Sequence, residues 1–177
     1  MDDTDGVAAR TRRLLEGARY LNLATARDGL PWVATLEYVW FPGPLRLVFG
    51  SSTGSRHSGD LARDPRVSGA LFVTGAGSGV EFAPVDGAQF TGRCEELAPE
   101  RLAEYYEPFY EGVFPDPGER ERWRLAPALL APPAVHRLYL VTVDRWWLID
   151  TRTWAEDRVD RRTEVAPEEL AGVRRTT

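Results

Sequence analysis

Lysine is missing from this 177-residue chain: all 22 of its basic residues are arginine. Schiff-base catalysis, covalent attachment of pyridoxal phosphate and a phosphate-cradling P-loop all need a lysine amine, so those three chemistries are excluded. Cysteine is nearly missing too. Cys94 stands alone, which rules out an internal disulfide and any multi-cysteine metal site. His57 and His136 are the only histidines, so a zinc site would have to be completed by carboxylates, an uncommon ligand set. No apolar run approaches the ~20 residues that span a bilayer. The start, Met1 to Asp5, is acidic where a secretory signal is basic and then apolar. A soluble cytoplasmic protein is therefore expected. Positive charge is in deficit overall: the net charge is -5 and the pI is near 5.2. That balance argues against a nucleic-acid partner and against adsorption to a membrane.

What is present is ordinary for a globular chain, with 43% hydrophobic and 28% charged residues, so one domain is expected and no large disordered region. Residues 1–150 are assigned to it, and 151–177 to a tail that is either a peripheral helix or loose. Thr4 or Asp5 can cap a first helix whose Val7, Thr11, Leu14, Leu15 and Ala18 share a face. The period then changes to two. Tyr20 to Ala26 reads as a strand and Asp28-Gly29 as a hairpin turn. A second strand carries Trp32, Ala34, Leu36, Tyr38 and Trp40 on one face. Pro42-Gly43-Pro44 turns into a third, Leu45 to Gly50. Ser55 to Asp64 is a short helix ending at Pro65, followed by strand Val67 to Thr74 and a glycine-rich loop from Gly75 to Gly87. Ala88 to Glu96 is the next strand. Pro99 to Tyr110 is an aromatic-rich helix, with a further short helix near Arg120 to Leu125. Two closing strands, Arg137 to Val143 and Arg145 to Asp150, follow a proline-rich connection. Many short strands with few helices predict an antiparallel barrel, not a parallel α/β sheet.

Several of these segments resemble a known family. Leu21-Asn22-Leu23-Ala24-Thr25, then Asp28-Gly29 and Pro31-Trp32-Val33-Ala34-Thr35, are similar to the opening hairpin of the pyridoxamine 5'-phosphate oxidase-like, FMN-binding split-barrel superfamily. Phe49 to Ser58, running on to Asp64-Pro65-Arg66-Val67, resembles its strand–turn–helix–strand signature. Gly87 to Gly92 resembles its next strand, and Leu138 to Asp150 its closing hairpin. The resemblance implies a mainly β (α+β) fold, a split antiparallel β-barrel of six to seven strands with flanking helices. It also implies a homodimer with FMN at the interface, acting as an oxidoreductase on a small molecule.

The motif reads as an anion site on its own chemistry. Ser55 sits at an N-cap position, Ser51 and Ser52 bring hydroxyls toward the same point, and Arg56 offers a planar fork suited to phosphate. The family places the FMN phosphate there, which implies contacts from Gly50, Ser51, Arg56 and His57. By the same resemblance Gln89 and Trp147 touch the flavin ring or its ribityl chain. Trp32 and Glu37 stand where well-studied relatives carry an arginine and a lysine, and His57 where they carry a lysine. Losing two charged hydrogen bonds to a phosphate costs about 3–6 kcal/mol. Weakly held FMN, a deazaflavin coenzyme, heme, or a cofactor-poor protein binding a small ligand without catalysis thus all stay open.

Gly50-Ser51-Ser52-Thr53-Gly54 also has the spacing of a hydrolase nucleophile elbow, but the alternating strand–helix order of that fold is missing. Cys94 reads as a small buried residue. Tyr105, Tyr106, Phe109, Tyr110, Trp146 and Trp147 exceed what a small barrel can bury. They are expected to form an exposed apolar patch that pairs two copies.

Overall fold

The structure is a computed structural model that describes residues 6–73, 86–150 and 154–175. The expected Thr4 or Asp5 cap and most of the glycine-rich loop lie outside the described residues. Helix α1 (Val7–Gly17) buries Thr11, Leu14 and Leu15, the face its spacing predicts, and Gly6 stands at its N-cap. Strands β1 (Tyr20–Arg27) and β2 (Leu30–Glu37) form a hairpin. Its two-residue turn puts Asp28 at φ 54° and Gly29 at φ 76°, the left-handed pair that a tight hairpin requires.

The strand expected to run on from Trp32 to Trp40 is instead two. β2 pairs with β1, and β3 (Val39–Phe41) pairs with β4 (Arg46–Ser52) at the opposite end of the sheet. The chain breaks at Tyr38, whose hydroxyl donates to the Leu15 carbonyl at 3.1 Å and fixes the crossing point against α1. After α2 (Arg56–Leu61) come β5 (Arg66–Val73) and β6 (Asp86–Glu96). Helices α3 (Leu102–Val113) and α4 (Pro117–Trp123) precede the long β7 (His136–Asp150). The chain closes with α5 (Trp154–Asp157), β8 (Arg161–Glu164) and α6 (Pro167–Ala171). The sheet order is β2-β1-β5-β6-β7-β4-β3, with β8 beside β7, and every pair is antiparallel. This curled sheet with flanking helices is the split-barrel α+β fold that the strand pattern and the resemblance predicted.

The two closing strands are one. Asp144, which falls between the two expected strands, is the extra residue of a bulge: Gly92 pairs with Val143 and Thr91 with Arg145. Gly92 makes this possible, because a Cβ there would collide with the Thr142 carbonyl oxygen.

Two cores result. Inside the curl, Leu21, Leu23, Leu47, Phe49, Phe90 and Trp146 pack with Leu14 and Leu15. Phe90 stacks on Trp146 at 6.0 Å and Phe49 on Tyr139 at 5.3 Å. Outside it, α3 lays Tyr105, Tyr106, Phe109 and Tyr110 onto Val48, Leu138 and Leu140. These rings are buried within one chain, Tyr105 fully and the others at most 7% exposed. The exposed aromatic patch expected there does not exist, because β4 and the first half of β7 are covered on both faces and need a second apolar layer. Of the six rings, Trp146 points inward and Trp147 is half-buried on the other face.

The last segment is tied in. β8 pairs with Trp147–Asp150, the Val165 amide donates to the Trp146 carbonyl at 2.8 Å, and Val165, Leu170 and Val173 join the inner core. No helix among the described residues is long and apolar enough to cross a membrane.

Candidate functional site

The end of β4 turns into α2 through a web of serines. The Ser55 amide donates to the Ser52 carbonyl at 3.1 Å, closing the turn, and Ser52 Oγ accepts from the Gly54 amide at 3.2 Å. Ser55 is the N-cap in extended conformation, its hydroxyl accepting from the Ser58 amide at 3.3 Å. Ser58 Oγ reaches back to the Ser52 carbonyl at 2.8 Å. His57 Nε2 lies 2.7 Å from Ser51 Oγ and 3.0 Å from Ser55 Oγ. His57 is 8% exposed, and burial pushes its pKa down, with the Asp60 charge opposing to a lesser degree. His57 is therefore neutral at neutral pH and orders the two serines without adding charge.

The charge comes from elsewhere. Asp60, fully buried on α2, accepts a hydrogen bond from Thr25 Oγ1 at 2.9 Å. Arg27 Nε lies 3.2 Å from one of its oxygens and Arg56 Nε 3.8 Å from the other. Two guanidiniums around one carboxylate leave one net positive charge. Both keep about a third of their side chain in solvent, 37% and 35%. Arg56 lies over the Trp32 ring at 4.7 Å. Asp60 Oδ1 and Arg56 Nε are buried without a hydrogen-bond partner. A helix of six residues has little dipole of its own, so Arg27 and Arg56 are what would attract an anion.

Thr25, Arg27 and Asp60 escaped the sequence reading. Asp60 is four residues beyond Arg56, a legible helical pair, and Arg27 adjoins the Asp28-Gly29 turn. Only the fold, however, brings β1 against α2. Glu37 is not at the site. It pairs with Arg19 at 2.8 Å, five residues from Trp32, or about 17 Å along the strand.

The other expected contacts lie elsewhere. Gly50 faces away from His57, with Phe109 and Leu138 beside its Cα. It floors a cavity of about 330 Å³ bounded also by Ser52, Tyr110, Trp123 and His136. Gln89 and Trp147 are Cα partners in a row that runs Thr35–Asn22–Ala70–Gln89–Trp147 across five strands. This row lies on the outer sheet face, where Val33 (58%), Phe72 (54%) and Tyr20 (48%) are exposed. Trp147 is nine residues along β7 from Leu138, the partner of Gly50, or about 30 Å of strand. Ser51 and Arg56 on the one hand, and Gln89 and Trp147 on the other, are thus separated within one chain.

Other chemistries find no support. Ser52, the serine of the elbow spacing, bonds the Gly54 amide, and Asp60 is engaged by Thr25 and Arg27. Cys94 is buried, which pushes its thiol pKa up and keeps it protonated. Among the described residues no three His, Cys, Asp or Glu side chains gather as metal ligands.

The family model for pyridoxamine 5'-phosphate oxidase matches residues 7–132, which spans the hairpin, the serine web and the aromatic helix. The chain belongs to this family. No curated protein matches the sequence. Among solved structures, a heme binding protein from Mycobacterium smegmatis superposes with a TM-score of 0.70 at 19% identity, covering 98% of this chain and 63% of that one. This chain therefore spans less than two thirds of that protein's length. A FAD-binding protein from Mesorhizobium loti gives 0.59 at 21% identity, over 80% of this chain and 92% of that one. A FAD and heme binding protein from M. smegmatis gives 0.58 at 17%, over 88% and 80%. At these identities the likeness establishes a shared fold, and pyridoxamine 5'-phosphate oxidase-like barrels host more than one function.

Proposed function

We propose that this protein is an FMN-dependent oxidoreductase that works as a homodimer on a small molecule. The observation that carries the reading is the Arg27–Asp60–Arg56 cluster at the helix that Ser55 caps. It supplies one net positive charge and two planar donors, and Ser51 and Ser55 two hydroxyls, a donor set that fits a phosphate ester. Arg27 takes over electrostatically from the cation that Trp32 replaces. Bound FMN would supply hydride chemistry, and the protein position and electrostatics. Trp32, stacked on Arg56, would shield that end of a bound phosphate from water. No side chain is assigned as a dedicated acid or base, since His57 is neutral and engaged by two serines.

The separation of the two groups supports the dimer. Gln89 and Trp147 lie on the open outer sheet face, so pairing two such faces would bury Val33, Phe72 and Tyr20 and could bring one copy's ring contacts to the other's phosphate site. Sedimentation checks this: twice 19.8 kDa is expected, and a monomer would remove the shared site.

Heme is the second reading, favoured by His136, an exposed imidazole at the edge of the aromatic cavity. His57 fits an axial ligand poorly because Nε2 is already engaged. The visible spectrum of the purified protein decides. Flavin bands, or a melting temperature raised by added FMN, support the first reading. A Soret band lost on His136→Ala replaces it with the second.

A further inference from the structure

The residues after the family match hold Gln89 and Trp147. β8 presents Arg162 and Glu164, two apart and so on one face, to the outer row of the sheet. Arg162 Nε donates to Gln89 Oε1 at 3.1 Å. Arg162 is itself steadied by Asp160 at 2.5 Å and by the Arg161 carbonyl at 2.9 Å. Glu164 grips Arg145 through two hydrogen bonds of 2.6 Å, and the Arg145 guanidinium lies 4.7 Å over the Trp147 ring. One short strand therefore holds both residues assigned to the flavin ring. The strand is fixed in turn, because Val165 next to it is 4% exposed, and Leu170 and Val173 follow it into the core.

This contact also settles which way the Gln89 amide points. A guanidinium has only donors, so the atom facing Arg162 must be the carbonyl oxygen. The amide nitrogen has no internal partner among the described residues, and it is turned away from Arg162.

We infer that β8 is a clamp in which Arg162 is a positioning residue, fixing Gln89 so that it offers N–H donors to a planar heterocycle through an acceptor edge. The acceptor is a carbonyl oxygen or an unprotonated ring nitrogen. The inference rests on the FMN reading above and deepens it.

The test is a fluorescence titration of the 177-residue chain with FMN, using wild type, Arg162→Ala, Arg162→Lys and Gln89→Glu. Loss of one oriented hydrogen bond is expected to weaken binding about tenfold in Arg162→Ala. Arg162→Lys keeps a donor and should stay within about threefold of wild type. Gln89→Glu lacks the amide donors and should bind at least as weakly as Arg162→Ala. Arg162 lies at the surface, so both its variants should melt within about 2 °C of wild type, separating positioning from folding. Wild type that fails to bind FMN overturns the flavin reading and the clamp together. Wild type that binds, with Arg162→Ala equally tight or Arg162→Lys as weak as Arg162→Ala, overturns the clamp alone.

Discussion

Arg27→Ala probes the charge cluster most sharply. Asp60 is fully buried and would lose its nearest cation, at 3.2 Å, while keeping the Thr25 hydrogen bond and Arg56 at 3.8 Å. Breaking a wholly buried ion pair costs about 3–5 kcal/mol, and an exposed one under about 1. Arg27 is 37% exposed and Arg56 stays, so about 2 kcal/mol is expected, or a melting temperature lowered by roughly 4–8 °C. The cause is an uncompensated buried carboxylate, so removing that charge should undo part of the damage. Asp60→Asn keeps an oxygen for Thr25 and carries no charge. Thermal unfolding of Arg27→Ala and of Arg27→Ala with Asp60→Asn forms the comparison. The double variant is expected to recover about 1 kcal/mol over the single one. A double variant no more stable than Arg27→Ala would refute the charge argument and reduce Arg27 to a packing residue.

Stability should fall as the pH drops below about 6.5, because burial holds the His57 pKa under its unfolded value of 6.5. There the unfolded chain binds a proton that the folded one refuses. Urea midpoints at pH 5, 6 and 7 should rise with pH, and His57→Gln should flatten the trend. Gly92→Ala forces a methyl against the Thr142 carbonyl at the bulge and should cost about 3 kcal/mol, lowering the melting temperature by roughly 6–12 °C. Cys94, buried with its thiol pKa pushed up, should react with Ellman's reagent only after denaturation.

Local chemistry was the legible part of this chain. The Asp28-Gly29 turn, the Ser55 cap and the inward face of α1 each follow from a few neighbouring residues, and each is found where the sequence puts it. What stayed hidden depends on distance. Arg27 and Asp60 meet across 33 residues, and nothing near either one announces the other. The aromatic run on α3 reads equally well as an interface or a second core. Only the sheet order, which gives β4 and the first half of β7 two covered faces, decides between them. Asp144 breaks the apolar alternation as a turn would, yet the bulge opposite Gly92 lets β7 run on. Arg162 reaches Gln89 solely because β8 pairs with the far end of β7.

The central claim, that Arg27 and Arg56 with the serines form a phosphate site, is tested most directly by comparing FMN with riboflavin, which differ in the phosphate alone. Two charged hydrogen bonds of about 1.5–3 kcal/mol each predict FMN binding about two to four decades tighter. That preference should shrink by roughly tenfold or more in Arg56→Ala. Equal affinity for the two flavins, or a preference that survives Arg56→Ala undiminished, would contradict the account.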